Sequence, residues 1–145
     1  MRHIQHNDFV IGFPDGWLDV STVILAGPPK DNYGPSITVT RERLDSAQTA
    51  TQYAAKQLPA LQREFGEYGY RTRQEGPLVL GSLSAFQRTH SFVMPEQGLE
   101  IQQWQVYMIL GNEAITITCT DSAVCFQASM PCFQEAIRQF RFMKT

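Results

Sequence analysis

Between Leu99 and Leu110 the chain reads LEIQQWQVYMIL, and at a spacing of two this stretch divides into two unlike faces. Trp104, Val106, Met108 and Leu110 point one way, as a plain core face; Leu99, Ile101, Gln103, Gln105 and Tyr107 point the other. The second set mixes apolar groups with amides and carries no charge. A solvated sheet face is ordinarily rich in Lys, Glu and Thr, so this one is wettable but weakly hydrated. It suits a surface that meets an apolar partner, and it equally fits a partly exposed face of an antiparallel sheet. Glu113–Thr120, EAITITCT, repeats the theme: Ile115, Ile117 and Cys119 share one side, and Ala114, Thr116, Thr118 and Thr120 the other. Gly111-Asn112 turns the chain between the two stretches, which makes them neighbouring strands.

The remaining elements follow from the same periodicities. Phe9–Phe13 (FVIGF) reads as a short buried strand closed by Pro14-Asp15-Gly16, and Trp17–Ala26 as the next strand. In the latter, Val23 and Leu25 share one face, and Thr22, Ile24 and Ala26 the other. A Pro- and Gly-rich loop spans Gly27–Pro35. Ser36–Arg43 alternates again, with Ile37 and Val39 opposite Ser36, Thr38 and Thr40. Asp45 or Ser46 then caps a helix, with Gln48 placed for a capping box. Its stripe is Ala47, Ala50, Ala54, Leu58, Leu61 and Phe65, with Gln57 and Gln62 flanking; Pro59 kinks or splits it, and Gly66 and Gly69 end it. Tyr70–Gln74 and Leu78–Leu83 are short strands separated by Gly76-Pro77, and Ser84–Met94 is another, with Phe86, Arg88, His90 and Phe92 on one face. A last helix begins near Ser129 with Pro131 in its first turn and ends in Arg141–Lys144; Ala123–Phe126 either extends it or forms a separate turn. Strands, a helix, a run of hairpin-linked strands and a terminal helix predict one α+β domain over residues 1–145, built on an antiparallel β-sheet packed with helices.

Composition narrows the function classes. Lys plus Arg number 12 against 14 Asp plus Glu, a net charge of −2, which offers no electrostatic case for nucleic acid or an anionic membrane. MRHIQHNDFVIGF lacks the continuous apolar stretch of a secretory signal, and nothing approaches a membrane span. Cys119, Cys125 and Cys132 are an odd number without metal spacing and read as thiols in a reducing compartment, so a cytoplasmic location is expected.

Catalytic chemistry is hard to find. His3 and His6 lack further metal ligands nearby, and His90 reads as a packed or surface residue. There is no carboxylate pair, nucleophile elbow, phosphate-binding glycine loop or Cys-x-x-Cys, and nothing near Cys125 would depress its pKa. A binding protein without cofactor or metal is the expectation.

Trp17-x-Asp19-x-Ser21-x-x-x-Leu25, a Pro-rich loop, Ile37-Thr38-Val39-Thr40-Arg41-Glu42, an amphipathic helix, the Gln-rich and Thr-rich strands and a C-terminal helix ending Phe140-Arg141-Phe142 together resemble the DcrB-related family. More narrowly, they resemble its cytoplasmic branch, the Eag chaperones encoded beside type VI secretion effectors. The resemblance implies a Mog1/PsbP-like fold and a homodimer. It also implies a chaperone that shields the N-terminal transmembrane helices of an effector before loading on the secretion spike, with no membrane insertion of its own. The candidate groove comprises Thr22, Ile24, Ile37, Val39, Gln57, Leu61, Leu99, Gln103, Gln105, Thr116 and Thr118. Amides and hydroxyls meet polar atoms without stranding a charge in a dry groove, and the aliphatic residues supply its walls. Ile24, Ile37, Val39 and Leu61 read equally well as core. The rival class is a regulatory module of Mog1 type with a soluble globular partner.

Overall fold

The computed structural model describes residues 1–143, so Lys144, at the expected helix end, lies outside the described residues. Six antiparallel strands form the main sheet in the spatial order β3-β4-β8-β7-β6-β5. They are β3 (Val23–Ala26), β4 (Ser36–Arg43), β5 (Arg71–Leu80), β6 (Leu83–Met94), β7 (Leu99–Leu110) and β8 (Glu113–Ser122). Helices α1 (Ala50–Phe65) and α2 (Ala123–Gln139) lie against it, and β1 (Arg2–His6) pairs with β2 (Phe9–Phe13) as a separate hairpin. The architecture is α+β: an antiparallel sheet packed with two helices.

The two faces of β7 meet different helices. Trp104, Val106 and Met108 pack with Ile115, Ile117 and Cys119 of β8 and with Phe126, Phe133 and Ile137 of α2 into the principal core. Each fully buried aliphatic side chain there stabilises the fold by about 1.5–3 kcal/mol. On the other face Tyr107 and Ala114 pack with Tyr53 and Ala54 of α1 and with Leu44. The alanines at positions 50 and 54 keep α1 close to the sheet, as their small size predicts.

Several local expectations are displaced, each for a physical reason. The first helix is capped by Thr49, whose hydroxyl accepts from the Gln52 amide at 3.1 Å while the Gln52 side chain accepts from the Thr49 amide at 3.0 Å. This capping box sits four residues beyond the one expected at Asp45. The helix runs unbroken through Pro59. The second helix starts directly after β8, because the Ser122 hydroxyl accepts from the Cys125 amide and the Asp121 carboxylate holds both the Ser122 amide and the Ser129 hydroxyl. Pro131 therefore lies in mid-helix. Both prolines are exposed, and so are Ala55 and Gln127, one turn back, whose carbonyls the prolines leave without an amide donor but within reach of solvent.

Gly76-Pro77 does not break the chain: β5 runs straight through it. As an edge strand, β5 has one row of amides with no strand to bond, and there a proline costs no ladder bond. At the other end only Val23–Ala26 of the expected Trp17–Ala26 strand pairs, and Thr22 precedes it. FVIGF is a strand as expected but an exposed one, since its partner is the short N-terminal strand and not the main sheet.

Candidate functional site

Helix α1 packs chiefly over β6 and β7, with Tyr53 reaching Ala114 of β8 and Glu42 of β4, and the same face of the sheet continues beside it across β8, β4 and β3. Register decides what that face presents. Ile24 stands opposite Thr38, Thr38 opposite Thr118 and Thr118 opposite Gln105; the next row carries Ser36, Thr120 and Gln103, and the row on the other side Thr40, Thr116 and Tyr107. Hydroxyls and amides thus fill these rows on β7, β8 and β4, and the next row of β4 carries Glu42, which stands opposite Ala114 and accepts from the Tyr53 hydroxyl.

The wall of this groove is α1, which projects Tyr53, Gln57, Leu61 and Phe65 at four-residue spacing. Phe65 is fixed by stacking on Phe92 of β6, with ring centroids 4.1 Å apart. Two concavities open along the wall. One, of about 260 Å³, is lined by Thr40, Tyr53, Gln57, Leu61, Gln105, Tyr107, Thr116 and Thr118. The other, of about 290 Å³, is bounded by Phe65 and Tyr68 on the helix side, Tyr33 from the Pro-rich loop, and Ile101, Gln103 and Thr120 on the floor.

The amides of the floor are held from behind. His90, fully buried, lies with Nε2 2.7 Å from Gln103 Oε1, and Gln103 Nε2 donates to Thr120 Oγ1 at 3.1 Å. In parallel, Arg88 Nη1 donates to the Tyr107 hydroxyl at 3.2 Å, Tyr107 donates to Gln105 Oε1, and Gln105 Nε2 donates to Thr118 Oγ1 at 3.2 Å. Arg88 also donates to the Ala54 carbonyl of α1 and to the Glu75 carboxylate. Burial pushes the His90 ring down to about 4, helped by the Arg88 charge and opposed by its bond to Gln103, so the ring is neutral at neutral pH. Burial likewise raises Tyr107 to about 12, against the pull of Arg88, and raises Tyr53, whose hydroxyl donates to Glu42. These groups orient one another; none is poised to take up a proton at neutral pH. Cys119, pushed up to about 12 by burial, is likewise no nucleophile.

The expected groove residues divide accordingly. Gln57, Leu61, Gln105, Thr116 and Thr118 come together around the first concavity, and Gln103 lies on the floor of the second. Ile24 is on the same face and 69% exposed, at the far rim. Thr22 and Leu99 fall beyond the concavities. Ile37 and Val39 do not belong to the groove: they pair with Cys119 and Ile117 and point to the α2 side, against the principal core. Strand alternation forbids them from sharing a face with Ile24, because Ile24 is in register with Thr38. The sequence reading missed Tyr33, Thr40, Tyr53, Tyr68 and Thr120 as lining residues, although the four-residue spacing that links Gln57, Leu61 and Phe65 extends back to Tyr53 and signals most of the wall.

A family model described as DcrB matches residues 10–138. The chain belongs to the DcrB family. Among solved structures, this DcrB-family chain is similar to PA94 from Pseudomonas aeruginosa, a protein of unknown function described as a prospective regulator, at 16% identity and a TM-score of 0.82, over 100% of this chain and 99% of that one. It is also similar to the cyanobacterial PsbP of Synechocystis sp. PCC 6803, at 9% identity and a TM-score of 0.58, over 98% and 92% of the two chains. At these identities the likeness is one of fold. A comparison with curated proteins returns no match.

Proposed function

We propose that this DcrB-family protein is a cytoplasmic chaperone of the Eag type, which seats the apolar N-terminal helices of a type VI secretion effector in the groove beside α1. The observation that carries the reading is the floor itself: rows of uncharged hydroxyl and amide side chains on β7, β8 and β4 that border two concavities beside α1. A transmembrane helix in water exposes more apolar area than a soluble protein tolerates. It needs aliphatic and aromatic walls, supplied by Leu61, Phe65 and Ile24, and a floor on which no charge is desolvated. Function requires no catalysis and no cofactor.

The working form is proposed to be a homodimer. All four residues of the edge strand β3 are exposed and apolar, and Trp17, Leu18 and Val20 beside them in sequence are each more than half exposed. A free strand edge flanked by such side chains is a pairing surface, and a second copy covers it without a further protein.

Co-expression with the effector's apolar N-terminal segment tests the reading. Leu61→Lys places a charge in the wall and should abolish recovery of the segment with the chaperone while the thermal midpoint stays near wild type. Recovery at the wild-type level would refute the groove, and capture of a soluble globular partner by the same variant would favour the regulatory class.

A further inference from the structure

Two hydrogen-bond relays cross the groove floor, and elementary donor and acceptor chemistry gives both the same direction. Arginine has no acceptor, so the Tyr107 oxygen accepts from Arg88 and the phenol proton goes on to Gln105 Oε1. The Gln105 amide is thereby fixed with its NH2 group towards β8, where it donates to Thr118. In the second relay His90 Nδ1 is buried without a partner while Nε2 faces Gln103 Oε1. A proton on Nδ1 would strand a buried donor, which is costlier than a buried lone pair, so the proton sits on Nε2 and His90 donates. The Gln103 NH2 group is then also turned towards β8, to Thr120. Each threonine oxygen has accepted a bond, so its own proton is left to donate. Each amide keeps a second N–H. Gln105 and Thr118 border one concavity, and Gln103 and Thr120 the other.

We propose that His90 and the Arg88–Tyr107 pair are positioning residues that lock Gln103 and Gln105 in one orientation, so that the groove floor donates hydrogen bonds and selects an apolar helix carrying an unpaired backbone carbonyl. This rests on the groove being the seat of an apolar helix. An intact helix uses its carbonyls internally and offers nothing to such a floor except at its end. A helix interrupted by proline frees the carbonyl one turn back, and that carbonyl is an acceptor with no proton of its own. Had the amides been held the other way round, the floor would favour partners bearing donors.

Two synthetic 20-residue Leu/Ala peptides test this, identical except for a central Pro or Ala and carrying a fluorophore for anisotropy. Binding of the Ala peptide reports on the groove as an apolar seat; the ratio of the two dissociation constants reports on the floor. The wild-type protein should hold the Pro peptide about tenfold more tightly, the effect of one well-made hydrogen bond. Gln103→Met keeps the volume and removes the amide, and should bring the ratio of the two dissociation constants down towards one, whatever its effect on the Ala peptide taken alone. His90→Phe, which preserves the aromatic packing beside Tyr70 and Phe92, should lower the ratio by freeing the amide, and His90→Gln should restore part of it. Equal binding of both peptides by the wild type, or an unchanged ratio in Gln103→Met, overturns the proposal and leaves the groove assignment standing. Failure to bind either peptide overturns both. Should His90→Phe not fold, the Gln103→Met ratio decides alone.

Discussion

Glu75 Oε2 lies 2.9 Å from Arg88 Nε, directly across the β5–β6 pair, with the guanidinium 2% exposed and the carboxylate 44% exposed. The two partners are therefore not equivalent. Removing Glu75 leaves a cation under α1 with only neutral acceptors, whereas removing Arg88 leaves a carboxylate that water can reach. We expect Glu75→Ala to cost about 3 kcal/mol and Arg88→Met less, about 1–2 kcal/mol, because methionine refills the space without a charge. Chemical denaturation measures both, and the reverse order would show that the ion pair contributes little beyond its hydrogen bonds.

His90 makes stability depend on pH in a defined window. Its ring is held down to about 4 in the folded chain against about 6.5 when unfolded. Between these values the unfolded chain binds the extra proton, so stability rises with pH there and is lost as pH falls from about 6.5 towards 4. The full effect is about 3 kcal/mol. Arg88, whose charge opposes an imidazolium, and Gln103 Oε1, whose bond favours one, face the imidazole together with the rings of Tyr70 and Phe92, and the cost of burying the charge outweighs what the ring gains from them. Denaturation midpoints of wild type and His90→Phe at pH 7 and pH 5 should differ in slope, with the variant the flatter of the two.

Val39 and Leu61 separate fold from groove. Val39→Gln buries an amide against the α2-side core and should lower stability by about 1–3 kcal/mol. Leu61→Lys, half-buried on the open wall, should change it by less than about 1 kcal/mol. Urea midpoints of the two variants give the comparison, and a stability loss in Leu61→Lys as large as that in Val39→Gln would place Leu61 in the core.

Phe65 has a double duty, since it ends α1 and bounds the second concavity. Phe65→Ala removes the ring stacked on Phe92 and should cost about 2 kcal/mol, less than a fully buried aromatic because Phe65 is half exposed. Amide exchange should then quicken over the last turn of α1 before it quickens in β6. Uniform quickening would mean the stack holds the whole sheet.

Much of this molecule is legible in period and punctuation. The two-faced patterns of Leu99–Leu110 and Glu113–Thr120 set the central strands, their pairing and the unusual floor, because both faces of each strand are specified by different partners. Face assignment within β3 and β4 was not legible. Ile24 and the Ile37–Val39 pair look alike in sequence, and only the register Ile24–Thr38 shows that they lie on opposite sides. Helix starts were displaced because several residues before each helix are competent caps, and the choice falls to whichever lies where the strand or loop delivers the chain: Thr49 in one case and Ser122 in the other. The relays behind the amides were invisible, since His90 and Gln103 are brought together by the β6–β7 register and by no local motif.

The two borders of the main sheet differ in kind. β5 carries Pro77 and a register shift between Thr72 and Gln74, so its outer rim is ill suited to receive another strand, while β3 offers four residues of uninterrupted backbone. A molecule receptive on one side only can join a like molecule once, front to front, and then has nothing left to extend. The proline that seems a blemish in a strand thus guards this protein against growing into a fibre.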